Sequence, residues 1–492
     1  MITLRFGFTP TGDQLNALTT FGHFLASKSV MPVMVMRGSA GTGKTSLVSA
    51  MVGTLVSLHQ KVILLAPTGR AAKILSLNAD LPAKTIHRKI YRQKAFLGDF
   101  NLNDNLHTDT LFVVDEASMI STLPNGENAF GSGSLLDDLI KYVYSGRNCR
   151  LMLIGDTAQL PPVGEEEAPA LMPEILNSYG MNVFGSDLKE VLRQGSDSGI
   201  LWNATNIRSL IIHDDITSLP KLRFYGFTDI HIMPGNELIE SLANSYHRMG
   251  EDDTIVITRS NKNATIYNNG IRNQVLDHEE LLCSGDQLMI VKNNYFWTRT
   301  YEEQKAEERK MHIVNNNVSA PSLQDDNAES PTPSFLANGD RAIVVRVRKS
   351  RELYGFHFAD VLLRFPDYDD FEMEVTVNTD SLQSDAPALT QEQNQTLFNA
   401  IAEDYADIPL KADRIKAIRD NQYFNALQVK YAYAVTCHKA QGGQWSHVYV
   451  DQGYMTDEML TPDYIHWLYT AFTRATDQLF LVNWPKTQIL QQ

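Results

Sequence analysis

Four apolar runs of strand length, Val33–Met36, Val62–Ala66, Leu111–Val114 and Leu151–Ile154, recur between residues 30 and 160 with helical patterns between them. Each run closes in a polar or glycine-rich turn. That alternation predicts a parallel sheet flanked by helices, with its working loops at the carboxyl ends of the strands. A second series, Thr254–Thr258, Ala432–Thr436, His447–Val450 and Leu479–Val482, predicts another lobe of the same kind. Gly180 to Gly185 is the expected hinge between the two. From Gly285 to about Leu427 the pattern changes: Ala342–Val347 and Glu372–Val377 alternate as antiparallel strands do, and a helical segment follows around Gln391–Arg419. Thr300–Pro333 is polar and charged throughout, which predicts a mobile loop or weak helix. The whole reads as α/β, two lobes with an inserted small β-barrel and appended helices. No internal repeat occurs at the spacings of solenoid proteins.

The turn after the first apolar run carries chemistry. Residues 38–45 read Gly38-Ser39-Ala40-Gly41-Thr42-Gly43-Lys44-Thr45, a complete phosphate-binding loop between a strand and a helix. In that setting backbone N–H groups point at a triphosphate from the positive end of a helix dipole. Lys44 would reach the β- and γ-phosphates, and the Thr45 hydroxyl would help hold Mg²⁺. Asp115-Glu116 follows the third run, 71 residues beyond Lys44. Alone, an acidic pair at a strand end is more often a helix N-terminal charge pair. After a phosphate loop, Asp115 is expected to hold Mg²⁺ and Glu116 to orient and deprotonate the attacking water. The fourth run leads into Gly155–Gly164, where Gln159 is placed to sense the γ-phosphate. Because only the first lobe has such a loop, the nucleotide is expected in a cleft between the lobes.

Composition narrows the partners. A chain of 492 residues exceeds one hydrophobic core, and its 43% apolar and 21% charged content is that of a globular protein. Lacking 18 successive apolar residues and a signal-peptide start, it is expected in the cytoplasm, with no membrane partner. Three cysteines, Cys149, Cys283 and Cys437, form no CxxC pair, which fits a reducing compartment and excludes a cysteine-based zinc site. The net charge of −15 opposes a broad electrostatic footprint on nucleic acid. A polyanion would have to be gripped in a narrow channel by a few directed donors.

The ordered motifs overturn that charge prior. Ala66–Lys73, Ala83–Arg88, Asp115–Met119, Gly155–Gly164, Leu192-Arg193-Gln194, Tyr433–Gln444 and Tyr469–Ala475 resemble the successive motifs of superfamily-one DNA helicases, closest to the RecD and Dda group, which moves 5′ to 3′ on single-stranded DNA. The resemblance covers roughly residues 8–285 and 425–485. It implies two RecA-like P-loop NTPase domains, 1–182 and 183–285 with 426–492, and a Src-homology-3-like barrel inserted at 286–425. It also implies ATP as the fuel, Mg²⁺ as cofactor, and single-stranded DNA and duplex junctions as partners. By this resemblance Gln14 would read the adenine edge, Arg193 and Arg474 would enter the cleft to stabilise transition-state charge, and Gly443 and Gln444 would lie near the ribose and phosphates. Family members often have glutamate where Gln444 stands. Strand contacts would come from Pro67, Thr68, Thr85, His87, Thr436, His438 and Lys439, donors that hold phosphates without reading sequence.

Lys89–Thr108 would form either a strand-separating hairpin or a loop tethered by its apolar residues. Tyr295-Phe296-Trp297 reads better as barrel core than as a DNA contact. Only 37 residues precede Gly38, where RecD-type chains carry a long region, so the build is expected to be nearer to Dda and to work outside a large recombination complex. Two other functions stay open: an RNA helicase of the same superfamily, and a nucleotide-switched DNA-binding or remodelling ATPase without unwinding. The acidic balance leaves room for a protein partner at replication or repair sites.

Overall fold

The computed structural model of the chain describes residues 2–93, 100–124, 131–190, 198–213, 217–316, 333 and 335–491. They divide into two compact units, Met1–Arg259 with Cys437–Gln492, and Ser260–Thr436.

In the first unit the strands are β1 (Pro32–Gly38), β2 (Lys61–Ala66), β3 (Ala83–Thr85), β4 (Tyr91–Gln93), β5 (Phe100–Leu102), β6 (Thr110–Val114), β7 (Arg150–Gly155) and β8 (Asn182–Leu188). All but β4 and β5 join one parallel sheet in the order β3-β2-β6-β7-β1-β8. The four apolar runs are its four central strands. Side chains alternate along a strand, so Met34 and Met36 share a face, packed on Phe21 and Phe24 of helix Gly12–Ala26 and on Leu47, Val48 and Met51 of helix Lys44–Ser57. The expected hinge at Gly180–Gly185 is not one. Asn182–Leu188 pairs residue for residue with β1, so the first sheet runs on to Leu188. β4 and β5 pair antiparallel within the 89–108 stretch, and residues 94–99 between them lie outside the described residues.

Two more strands of this unit, β9 (Ile230–Met233) and β10 (Thr254–Thr258), precede the second unit.

The second unit is built on a closed barrel of β11 (Gln287–Ile290), β12 (Arg341–Leu353), β13 (Phe356–Phe365), β14 (Phe371–Asn378) and β15 (Leu427–Tyr431). Helices Gln391–Asp404 and Lys411–Arg419 place Leu397, Ile401 and Ile418 against Phe356 and Phe358. The inserted barrel is therefore present, closed by a strand two residues beyond the expected limit of 425. Helix Phe296–Asn316 takes up the first half of the polar stretch expected as loop or weak helix. Of Tyr295, Phe296 and Trp297, only Trp297 is buried, and it donates to the Asn425 carbonyl at 2.8 Å. The run expected as a strand over Ala432–Thr436 is strand only at its end, as the three-residue β16 (Ala434–Thr436).

The chain's end returns to the first unit with β17 (Trp445–Asp451) and β18 (Ala475–Val482). With the earlier pair they give a second parallel sheet in the order β10-β17-β18-β9. Helix Pro462–Phe472, between β17 and β18, packs on helix Gly199–His213. Among the described residues no helix is long and apolar enough to cross a membrane.

Candidate nucleotide site and strand-contact loops

β1 delivers the phosphate loop at Gly38, between β7 and β8. Gly41 and Gly43 both hold φ at +78°, a left-handed backbone open to glycine, and Gly43 then caps helix Lys44–Ser57. The Lys44 ammonium folds back on the loop, donating to the Gly38 carbonyl at 2.5 Å and the Ser39 carbonyl at 3.0 Å. Gln14 is buried beside it. Its amide donates to the Thr42 carbonyl at 3.0 Å, and its backbone and side chain complete a capping box with Thr11.

The acidic pair leaves β6 two strands away. Glu116 has φ +51° and ψ 38°, a left-handed conformation rare for a side chain of this kind, and its N–H donates to Asp115 Oδ1 at 2.9 Å. Burial pushes the Asp115 carboxyl up to about 6, and the Glu116 charge adds to this. The Glu116 N–H and the Lys44 ammonium pull the other way. A buried acid held this far above its ordinary range gains from a bound cation. Thr45 is exposed at the start of the loop helix. Two hard oxygen donors of this kind suit Mg²⁺.

The turn after β7 is fastened to the second sheet's helix Pro462–Phe472. Asp156 accepts from the Tyr469 hydroxyl at 2.6 Å, and the same hydroxyl accepts from the Ala40 N–H of the phosphate loop at 3.2 Å. Leu160 N–H donates to Thr470 Oγ1 at 2.8 Å, Gln441 donates to the Leu160 carbonyl at 2.6 Å, and His466 Nδ1 lies 3.0 Å from the Ala158 carbonyl. Gln159 sits in the middle of these bonds, 7% exposed, its Oε1 without a donor. Ser39 Oγ and Ser118 Oγ, in the loops after β1 and β6, are likewise buried and unpartnered among the described residues. Orphaned polar atoms are rare in folded chains and mark places where a ligand or water completes the bonding.

Arg474 is buried just past that helix. Its guanidinium bonds the Thr470 carbonyl, the Gly443 carbonyl and Thr473 Oγ1 at 3.1 to 3.2 Å. The loop it holds is the one that contains Gln444, whose carbonyl accepts from Arg70 at 2.5 Å. Arg70 also lies over the Trp445 ring at 4.1 Å. Gly442, at φ +72°, is pressed so close to the first sheet's loops that a Cβ would stand 3.1 Å from both Thr68 Oγ1 and Ala71 Cβ. The motif residues Arg70, Gly443, Gln444 and Arg474 are thus brought together.

The foreseen strand contacts divide. Pro67 and Thr68 follow directly on β2, Thr85 ends the neighbouring β3 and His87 lies in the helix turn after it, so the four sit at the carboxyl end of one sheet. Thr68 and Thr85 use their hydroxyl oxygens to cap the helices that follow, accepting from Ala71 and Arg88. His87 keeps some surface, yet desolvation draws its imidazole down to about 4, so at neutral pH it would meet a phosphate uncharged. His438 and Lys439 lie in the short helix Cys437–Ala440, where burial also lowers the Lys439 ammonium. Thr436 belongs to the second unit. Arg193 lies outside the described residues.

Sequence reasoning missed Tyr469 as a site residue. It stands inside the motif quoted for Arg474, but nothing local marks a hydroxyl that bonds a loop 429 positions away. One further cluster has metal-ligand chemistry: His278, Cys283 and Asp286 in the second unit, ligand atoms within 4.8 Å of one another. Asp286 there is already taken by two bonds from Arg272, one from the Cys283 N–H and one from Tyr433. A guanidinium on the carboxylate leaves no seat for a divalent ion.

Comparison with known proteins gives two domain matches. Residues 13–209 match an AAA domain, and residues 431–482 match a UvrD-like helicase C-terminal domain. The ATP-dependent RecD2 DNA helicase of Deinococcus radiodurans is 35% identical over 132 residues, 27% of this chain and 16% of that one. An uncharacterized protein of Methanocaldococcus jannaschii is 34% identical over 147 residues, 27% of this chain and 12% of that one. A third relative, uncharacterized, from Acanthamoeba polyphaga mimivirus, is 22% identical over 518 residues and covers 91% of this chain and 94% of its own length. The solved structure of a Bacteroides Pif1 helicase with ADP-AlF3 and single-stranded DNA aligns over 99% of this chain and 95% of that one, at 14% identity and a TM-score of 0.44.

Proposed function

We propose that this chain, which belongs with the RecD-like superfamily-one helicases, is an ATP-dependent DNA helicase moving 5′ to 3′ on single-stranded DNA. The observation that carries the reading is the fastening of the phosphate loop and the Gly155–Gly164 turn, through Tyr469, Thr470, Gln441 and His466, to the second sheet. A change at the terminal phosphate reaches that sheet through bonds already in place.

In this reading Lys44 leaves the Gly38 and Ser39 carbonyls for the phosphates, and Gln14, already on the loop, reads the adenine edge. Glu116 orients water and takes its proton, Gln159 senses the γ-phosphate through that water, from which its orphaned Oε1 accepts, and Arg193 and Arg474 neutralise transition-state charge. Gly443 and Gln444 border the ribose and phosphates. Thr45 and Asp115 would hold Mg²⁺, which supplies charge neutralisation across the β- and γ-oxygens when bound. Pro67, Thr68, Thr85 and His87 on one side and Thr436, His438 and Lys439 on the other grip the strand in turn. Neutral imidazoles and hydroxyls suit this, because a processive grip must release. Work in the cytoplasm and recruitment by a protein partner at replication or repair sites complete the proposal, the partner offsetting the −15 charge.

The test is strand displacement on duplexes with a 5′ or a 3′ tail, run beside ATPase assays with DNA, RNA or neither. Unwinding confined to the 5′-tailed substrate and DNA-stimulated turnover are expected. Stimulation by RNA alone, or turnover without displacement, would reject the reading.

A further inference from the structure

Beside the phosphate loop lies a cavity of about 140 Å³ that none of the foreseen roles uses. Ser39 and Ala40 of the loop form one wall, Tyr469 another, and Lys189, Thr205 and Arg208 are also in its lining. Helix Gly199–His213 supplies most of the rest from one stripe, since Ala204, Arg208 and Ile212 recur every fourth position. Among the described residues the lining holds two side chains that are cationic at neutral pH, Lys189 and Arg208, and no carboxylate. Arg208 Nε is buried without a hydrogen-bond partner among the described residues, and so is Ser39 Oγ on the loop wall.

Two orphaned polar groups and two cations around one space call for an anion with several acceptor oxygens. A guanidinium stays charged at any physiological pH, and the buried Nε of this one lacks an acceptor among the described residues until such an anion arrives. The space is large enough for a phosphoryl group. Its position chooses which phosphate. The amides from Gly41 onward cradle the inner phosphates in loops of this kind, whereas the cavity opens on Ser39 and Ala40, at the other end of the loop. Tyr469 joins that end to Asp156, three residues before the Gln159 expected to sense the terminal phosphate.

We propose that Arg208 is a further arginine of this site, contacting the terminal phosphate of ATP and so distinguishing ATP from ADP. This rests on the nucleotide reading above and adds a residue that the ordered motifs do not supply. Lys189 and Ser39 complete the seat, and Tyr469 exchanges its bond to Ala40 as the phosphate enters.

Fluorescence titration of the full chain with Mg²⁺, using labelled ADP and a labelled non-hydrolysable ATP analogue, tests it. Arg208→Ala should weaken the analogue by about tenfold to a hundredfold, the range of a lost charge-assisted hydrogen bond, and leave ADP within about twofold. Arg208→Lys keeps the charge without the planar fork, and should lose about threefold to tenfold on the analogue alone. Retained ADP affinity also shows that the site is folded. If Arg208→Ala melts below the wild type and loses both nucleotides, Arg208→Lys decides. Equal loss of both nucleotides by the lysine variant, or no loss by either variant, overturns the assignment of Arg208 while leaving the ATPase reading standing. A wild type that binds neither nucleotide overturns both.

Discussion

The two parallel sheets of the first unit are built alike and equipped differently. The six-stranded sheet meets its ligand with backbone: a glycine loop after β1, with Gly41 and Gly43 in the left-handed region, opens N–H groups at a helix start. The second sheet has no such loop and presents side chains instead. Tyr469, Thr470, Arg474 and Gln441 come from it, and all but Arg474 bond directly into loops of the first sheet. Fixed backbone donors suit a charge always bound in the same place. Side chains on a neighbouring helix can arrive and withdraw, which suits a signal.

The sharpest way to break that division is at the first sheet. Lys44→Ala and Glu116→Gln should bring steady-state ATP hydrolysis to background, because in the proposed reading one removes the cation on the phosphates and the other the base. Normal turnover in either would mean that the chemistry lies elsewhere. Next comes Arg474→Ala, with a loss of roughly 10³ to 10⁵ in turnover if the arginine works as proposed, while titration still shows nucleotide bound. A variant that turns over normally would reduce Arg474 to a brace for the Gly443 carbonyl.

A pH profile of Mg²⁺-nucleotide affinity sharpens the comparison further. Only ionised Asp115 can hold a cation, and its carboxyl takes a proton as pH falls through about 6. Affinity should therefore drop by up to about tenfold per pH unit below that point, and Asp115→Asn should flatten the profile. Free of nucleotide, the same group acts with the opposite sign. Its folded value lies above its ordinary 3.8, so its contribution to stability is present at acid pH and is lost as pH rises through 6. A profile unaffected by Asp115→Asn would detach the acid from the metal. The smallest effect is expected at Tyr469→Phe, which leaves the Ala40 N–H and the Asp156 carboxylate each short of a bond. About 1 to 3 kcal/mol of stability should go, read by thermal or urea unfolding, with a few-fold change in turnover. No change in either would remove Tyr469 from the link.

How much of this could be read from residues alone follows from where each strand lies. The four apolar runs of the first series are the sheet's central strands, covered on both faces, and burial writes itself as hydrophobicity. β8 and β9 end their sheets, and they read Asn182-Val183-Phe184-Gly185 and Ile230-His231-Ile232-Met233. An edge strand half open to solvent has no such signature, which is why β8 looked like a hinge and β9 was passed over. The phosphate loop and the acidic pair were legible because spacing and residue type are local. Tyr469, Ser118 and Arg208 were not: each is defined by what it faces across the fold, and a tyrosine in an apolar helix announces only packing.

Gly442 carries a last consequence. With merely a hydrogen facing Thr68 and Ala71, this spot sets how closely the Gln441–Gln444 loop lies on the first sheet's helix start. A methyl group there would act as a wedge, forcing its neighbours to give by a few tenths of an ångström, on a left-handed backbone that already disfavours any side chain. One bare backbone atom thus holds the two sheets' loops at contact distance.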